Sequence, residues 1–140
     1  MKSRNRSNVL LVEILIAVLF FMLSATVLVR VFVTARNMTV RSGVESRALA
    51  EAQNVAEALY AAEDVDAALE NMQFRSSHGS WSRDCGDFTL YVTGETQPTN
   101  AGEMWSGAVS AFYKLRDPDA SRAGDEELFS LPCSKYKGVA

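Results

Sequence analysis

The feature that most constrains this chain is an apolar run near its N-terminus. Residues 9–29 read VLLVEILIAVLFFMLSATVLV, 21 residues with one charged side chain, Glu13. At 1.5 Å of helical rise per residue, such a run spans the roughly 30 Å hydrocarbon layer of a bilayer. The sequence therefore predicts a transmembrane helix over residues 9–30, preceded by a basic tail of residues 1–8.

Charge is distributed unevenly along the chain. The first 41 residues carry six Lys or Arg and one Glu, a net charge of +5, whereas the other 99 carry eight Lys or Arg and 16 Asp or Glu, a net charge of −8. Basic residues before the run favour a cytoplasmic N-terminus, although three arginines also follow it. We therefore expect a single-pass protein of the inner membrane with its acidic C-terminal bulk outside the cytoplasm. An acidic surface does not favour nucleic acid as a partner.

A removable signal peptide is a competing interpretation. Val33, Thr34 and Ala35 are residues that signal peptidase accepts, and cleavage there would release a soluble protein starting near Arg36. The apolar run exceeds the roughly 7–15 residues of a signal-peptide core, and Arg30 would lie between the core and the cut. Both features favour a retained membrane helix.

Glu13 lies four residues into the run, where a carboxylate in hydrocarbon costs about 2.5 kcal/mol or more. In one interpretation the side chain reaches the headgroups or is protonated. In the other it pairs with a cation of a second copy, such as a new α-amino group exposed by cleavage, because opposite charges attract strongly in low dielectric. Taken alone, the residue favours neither.

Residues 8–19, NVLLVEILIAVL, resemble the N-terminus of type IV pilins and type II secretion pseudopilins. In that family prepilin peptidase removes a short basic leader, and the new N-terminus begins an apolar helix with Glu in fifth place. Counted from Val9, Glu13 is fifth, and residues 1–8 are the leader. The resemblance implies cleavage between Asn8 and Val9, a role in assembly for Glu13, and two kinds of partner: the peptidase and other pilin or pseudopilin subunits.

The residues at the cut depart from the family pattern. The family usually has Gly, less often Ala, before the cut and Phe after it, whereas this chain has Asn8 and Val9. The difference bears on whether the leader is removed. It favours a minor or divergent subunit over a major one.

Beyond the run, apolar residues keep helical spacing, which predicts an extension of the helical stalk over residues 31–73. These residues are Val44, Ala48, Ala52, Val55, Leu59, Val65, Leu69 and Met72. Gly43 is an expected bend, and Asp64 is the expected N-cap of a short helix over residues 65–73. The stripe is expected to pack against the chain's own C-terminal domain.

Residues 74–140 show strand-like alternation, which predicts strands at 88–93, 107–115 and 127–131, with a turn-rich segment at 94–102. Three antiparallel strands cannot bury both of their faces alone. The predicted fold class is therefore α+β: a long N-terminal helix, transmembrane in its first half, packed against a small antiparallel β-sheet head. The resemblance implies the same pilin-like arrangement.

Cys85 and Cys133 are the only cysteines. In an exported head they predict a disulfide, whose loop closure adds roughly 4 kcal/mol of stability. The pair also fits the resemblance, because many type IV pilins close a C-terminal loop with two cysteines. In a cytoplasmic head both cysteines would be reduced.

No motif for catalysis, metal binding or a cofactor stands out, and we expect a non-enzymatic protein without a cofactor. His78 is expected in a surface loop, and Trp81 and Trp105 as core or turn anchors rather than ligand platforms. An acidic cluster allows two interpretations, a solvated turn or a Ca²⁺ loop like that of some major pseudopilins, although its spacing does not match an EF-hand. Its members are Asp117, Asp119, Asp125, Glu126 and Glu127.

The expected function is structural: a minor pilin or pseudopilin of a type IV pilus, a competence filament or a type II secretion pseudopilus. Membrane helices of neighbouring subunits would bundle by apolar packing, with Glu13 fixing their axial offset. The alternative is a single-pass scaffold protein of the cell envelope that keeps its tail and never polymerises.

Overall fold

The computed structural model describes residues 2–114 and 125–138. By its internal contacts the chain forms two compact units, Met1–Arg41 and Ser42–Ala140. Helix α1 runs from Lys2 to Ala61 and so contributes to both. Gly43, the expected bend, is helical.

The first unit is purely helical, and its apolar side chains have no partner within it. Every large apolar side chain from Val9 to Val40 is exposed, at 49–73% of its full surface. The hydroxyls of Thr26, Thr34 and Thr39 each donate to the carbonyl four residues earlier, at 2.9–3.0 Å. These internal bonds satisfy the hydroxyls without water. The helix is long and apolar enough to cross a membrane.

In the second unit, one stripe of α1 forms the helical half of the core. Its residues recur every three or four positions and are at most 6% exposed: Val44, Ala48, Ala52, Val55 and Leu59. The two alanines leave room for the helix to approach the sheet closely, since their side chains end at Cβ. The predicted stripe is confirmed for these five positions.

The chain breaks its helix after Ala61 and starts α2, Val65–Asn71. Asp64 is the N-cap, as predicted, and its carboxylate accepts the backbone N–H of Asp66 at 3.0 Å. Leu69 of α2 is buried in the core. The short helix therefore adds a second apolar contact at the end of the stripe.

A five-stranded antiparallel sheet follows, with its strands in chain order. The strands are β1 Arg75–Ser77, β2 Ser80–Asp84, β3 Phe88–Thr99, β4 Gly102–Tyr113 and β5 Glu126–Gly138. Leu90 and Val92 of β3 and Val109 and Ala111 of β4 are at most 1% exposed, on the face that meets the helical stripe. The predicted α+β class is confirmed.

The β1–β2 hairpin was not predicted. Its turn residues, His78 and Gly79, have φ of 50° and 80°, the positive values required by a two-residue type I′ turn. Hydroxyl-rich strands with one aromatic residue lack the apolar alternation by which strands are recognised in sequence. His78 is exposed in this turn, so its expected surface position is confirmed.

The turn predicted over residues 94–102 is confined to residues 100–101, because β3 continues through Thr99 and β4 begins at Gly102. Pro98 lies inside β3, opposite Glu103 of β4. Strand β2 pairs only with the first part of β3, from Thr89 to Thr93. Pro98 therefore lies on a free edge of the sheet, where a residue without an N–H is tolerated.

Trp105 explains two glycines of the sheet. A Cβ at Gly94 would collide with its indole ring, and a Cβ at Gly107 would meet both the ring and the carbonyl oxygen of Thr93. Gly94 and Gly107 face each other across β3 and β4, and the indole lies over the gap that they leave. Trp81 and Trp105 both pack against the core, which confirms them as anchors.

Candidate functional site

Glu13 is the candidate residue with the clearest conflict between its chemistry and its surroundings. It lies on α1, is exposed, and has only Val, Leu, Ile and Ala as neighbours from residue 9 to residue 18. It makes no ion pair or side-chain hydrogen bond within the residues that the structure describes. Its nearest basic neighbour along the helix, Arg6, is seven positions away, about 10 Å of helical rise. No described basic side chain therefore lies within one turn of Glu13 along α1.

Asn8 and Val9, the residues of the predicted cut, are also helical and exposed. Val9 and Glu13 are four positions apart, so they occupy the same face on successive turns. A chain beginning at Val9 would carry its α-amino group one turn from this carboxylate. In the uncut chain the backbone nitrogen of Val9 is an amide within the helix.

The structure does not form the predicted disulfide, and both cysteines are free thiols. Cys85 closes the β2–β3 turn by donating its N–H to the carbonyl of Phe88, at 2.9 Å. Cys133 lies opposite Gly107, which lies opposite Gly94. Phe88 and Gly94 are six positions apart on β3, about 20 Å along the strand. A disulfide requires Cα atoms within about 7 Å, so Cys85 and Cys133 are too far apart to form one.

Cys133 lines a small apolar cleft of the head, together with Leu59, Tyr60 and Trp105. Burial raises the pKa of its thiol above the ordinary value, which disfavours the thiolate. The cysteine therefore behaves as a small apolar side chain of the core margin.

A second, larger groove is crossed by an arginine. Arg83 of β2 donates to a Glu51 carboxylate oxygen at 2.7 Å and to the carbonyl of Met72 at 3.3 Å. Its guanidinium carbon stands 5.0 Å from the centre of the Phe74 ring. Its Nε is buried without a hydrogen-bond partner. Three contacts of different kinds thus fix α1, β2 and the end of α2 to one another.

Two exposed ion pairs flank this groove. Arg47 pairs with Asp87 at 2.5 Å, and Lys114 pairs with Asp84 at 2.5 Å. The hydrogen bond from Lys114, followed by that from the Gly86 N–H, lowers the pKa of Asp84 below 3.8. The contacts of Arg83 with Glu51, Met72 and Phe74, which we call the Arg83 brace, and these two ion pairs thus connect neighbouring elements of the head.

The acidic cluster is only partly described: Asp117 and Asp119 lie outside the described residues, as does Leu115, the end of the predicted second strand. Glu126 and Glu127 lie at the start of β5. Among residues 2–114 and 125–138, no group of three or more His, Cys, Asp or Glu side chains is placed to hold a metal ion.

Sequence reasoning missed the Arg83 brace and one further contact. Lys135 of β5 donates to the carbonyl of Leu59 at 3.4 Å, near the end of α1, whose own last turn has no basic residue. A cation near a helix C-terminus satisfies an unpaired carbonyl and opposes the helix dipole. Alternation in β2 is the only signal for the first contact, since it places Arg83 on the same face as Trp81. No local signal reveals the second, which joins residues 76 positions apart.

Comparisons of the chain with protein-family models, with curated proteins and with solved structures find no match. The resemblance of residues 8–19 to pilins and pseudopilins therefore stays a prediction.

Proposed function

We propose that this chain is a pilin-like or pseudopilin-like structural subunit that assembles through the membrane-embedded part of α1. The observation that carries the proposal is a lone carboxylate, Glu13, within the exposed apolar segment of α1, residues 9–29. In this proposal the protein has a structural role and is not an enzyme. It packs against copies of itself or against related subunits, first in the cytoplasmic membrane and then in a pilus, competence filament or secretion pseudopilus.

The apolar surface of residues 9–29 supports this function, because it must be covered by lipid or by other helices. Lipid would cover its apolar side chains fully but leave the Glu13 carboxylate unpaired in hydrocarbon. A neighbouring helix that brings a cation would satisfy both requirements. Attraction between unit charges in low dielectric is strong and short-ranged, so such a pair would also fix the offset between helices.

Prepilin peptidase would create that cation if it cuts between Asn8 and Val9. The new α-amino group of one subunit would then face Glu13 of the next. Val9 and Glu13 lie on one helix face. Two identical helices displaced along their axes by about one turn, roughly 5.4 Å, would bring amine and carboxylate together.

The edges of the sheet give independent support for assembly through the helix. The free edge of β5 carries Pro132, and the uncovered part of β3 carries Pro98. A proline cannot donate a hydrogen bond to an added strand, so both edges oppose extension of the sheet between copies. The acidic heads, with a net charge of −8 over residues 42–140, also repel one another.

One observation favours the alternative, a non-polymerising scaffold of the cell envelope. The helix begins at Lys2 and includes Asn8 and Val9, so the predicted cut lies within regular helical backbone. Together with the departure of these two residues from the family pattern, this favours an intact tail. The scaffold would keep the cytoplasmic tail, the single span and the extracytoplasmic head.

Mass spectrometry of the N-terminal peptide from membrane fractions separates these functions. A mature chain starting at Val9 supports the subunit, an intact Met1 supports the scaffold, and a soluble product starting near Arg36 would contradict both. Incorporation gives the second measurement. Glu13→Ala should reduce recovery in sheared filament fractions at least tenfold while leaving membrane insertion intact, and Thr26→Val, a polar-to-apolar control in the same helix, should leave recovery unchanged. Undiminished recovery of Glu13→Ala would exclude Glu13 from assembly.

A further inference from the structure

Beyond the apolar run, the first unit ends in a segment that mixes arginines with large apolar side chains. Residues 30–41 read RVFVTARNMTVR, with Arg30, Arg36 and Arg41, and no Asp or Glu occurs anywhere from residue 14 to residue 44. No acidic side chain of this helix therefore lies within a turn of Arg30 or Arg36. Neither arginine makes an ion pair within the residues that the structure describes.

Arg30 and Arg36 lie on different sides of the helix. They are six residues apart, which at 100° per residue places them about 120° apart around the axis. Their guanidinium groups match the oxygens of a phosphate with paired N–H donors. Headgroups surround a membrane helix on every side, so both arginines have phosphates beside them.

The large apolar side chains of the segment are exposed. Val31, Phe32, Val33, Met38 and Val40 show 51–72% of their surface. An acidic protein partner in water would neutralise the arginines but leave these apolar side chains exposed to solvent. The boundary between headgroups and acyl chains would accommodate both kinds of side chain at once.

The length of the helix places Arg30 and Arg36 at this depth. The 21 residues before Arg30 already span the hydrocarbon layer of about 30 Å. A bilayer with both headgroup layers is about 40–45 Å thick, so one headgroup layer is about 5–7.5 Å. Arg36 is six residues beyond Arg30, about 8.5 Å along the bilayer normal at a typical tilt of about 20°. Arg30 therefore falls at the inner boundary of the headgroup layer, and Arg36 falls at its outer edge, from which a long arginine side chain reaches back to the phosphates.

We propose that residues 30–36 of α1 bind the phosphates of anionic lipid headgroups at the membrane surface where the span ends. Arg30 and Arg36 supply the contacts, and the interleaved apolar side chains hold the segment at headgroup depth. This inference rests on α1 crossing a membrane, which the proposed subunit and the alternative scaffold share. It does not depend on polymerisation or on cleavage.

The test uses the full chain in a mild uncharged detergent, titrated with dioctanoyl-phosphatidylglycerol or dioctanoyl-phosphatidylcholine, with bound lipids counted by native mass spectrometry. The anionic lipid should bind preferentially. Each basic residue near a charged membrane surface contributes about fivefold, so Arg30→Gln with Arg36→Gln should weaken binding of the anionic lipid roughly 25-fold. Arg30→Lys with Arg36→Lys keeps the charge and should retain most of the preference. Added salt should reduce it, because screening shortens the reach of the charges.

A matched control removes two positive charges from the second unit, Arg75→Gln with Lys137→Gln, and should leave lipid binding unchanged. Equal binding of the two lipids, or an equal loss in the control, would overturn the proposal. So would full displacement of the lipid by millimolar inorganic phosphate, which would indicate a site for free anions. If the arginine double variant changed the oligomeric state and left lipid binding intact, the two arginines would form a contact between copies instead. Glu13→Ala should not alter lipid binding, which separates this test from that of filament assembly.

Discussion

Arg83 is a mostly buried cation whose carboxylate partner, Glu51, is itself only half buried: their side chains are 20% and 46% exposed. The exposed pair Arg47 and Asp87, at 61% and 63%, lies nearby and has equally short geometry. Solvent screens the second pair far more than the first. The two pairs therefore allow the effect of burial on an ion pair to be measured within one small domain.

Glu51→Ala should lower the free energy of unfolding by about 1–2 kcal/mol, because it leaves the Arg83 guanidinium without its anion beneath the helix. Asp87→Ala, the exposed control, should lower it by less than about 0.5 kcal/mol. Urea unfolding followed by the fluorescence of Trp81 and Trp105 measures both. Equal losses would show that Phe74 and the Met72 carbonyl suffice to hold Arg83.

Asp84 makes the stability of the head depend on pH in the acid range. Its pKa is lowered from 3.8 by the hydrogen bond from Lys114 and then by that from Gly86, so folding favours the ionised form. The resulting stabilisation is present above pH 3.8 and is lost as the pH falls through the lower folded pKa. Asp84→Asn should flatten this part of the stability profile, and Lys114→Met should flatten it similarly. Unfolding midpoints measured from pH 2 to pH 6 test this, and a profile as steep as that of the unaltered protein would contradict the assignment.

At the scale of elements, the β3–β4 hairpin depends on two glycines beneath one indole. Gly107→Ala should destabilise the head by about 2–3 kcal/mol, because the new Cβ meets backbone at Thr93, which cannot yield, as well as the Trp105 ring. Gly94→Ala should cost less, since its Cβ meets only the side chain of Trp105. Thermal unfolding ranks the two variants. The opposite order would mean that the indole is held more rigidly than the backbone.

The elements differ in how well sequence alone predicts them. The stripe from Val44 to Leu59 was predictable because a helix against one partner must repeat its apolar residues every three or four positions. Asp64 was predictable because capping is local chemistry. The β1–β2 hairpin was not, because its strands are polar and its turn is His-Gly. The extension of β3 past Gly94 was not predictable either. Gly94 is needed there because the Trp105 ring covers it, and Pro98 is tolerated because that edge of β3 is uncovered, and both conditions arise only in the tertiary structure.

The residues of the candidate sites also differ in how well sequence alone predicts them. Glu13 stands out in sequence because any charge in an apolar run does. The Arg83 brace and the contact from Lys135 to Leu59 join distant parts of the chain, and no local pattern encodes them. The disulfide was expected from compartment and loop length, but the register of β3, β4 and β5 places Cys85 and Cys133 far apart. Cysteine pairing depends on topology, which a cysteine count does not contain.

In the molecule as a whole, the apolar side chains fall into two groups, those of a buried core and those of an exposed helix. Every buried apolar residue of the described core lies between Val44 and Ala111, within the unit Ser42–Ala140. The exposed large apolar side chains concentrate in Met1–Arg41. Folding of the head and the proposed association through residues 9–29 of α1 should therefore be separable processes with separate driving forces.

A fragment of residues 42–140 should accordingly fold without detergent and remain monomeric. Its core is complete, its net charge of −8 opposes association, and Pro98 and Pro132 interrupt the uncovered edges of the long strands β3 and β5. Light scattering after size exclusion should give one chain per particle, and urea unfolding should be cooperative. Replacing both prolines by Thr removes the interruption at each edge and should raise self-association at high concentration, whereas Pro118→Thr, outside the described strands, should not. A fragment that is unfolded, or that dimerises with both prolines intact, would mean that residues 1–41 contribute to the head or that the sheet edges themselves mediate assembly.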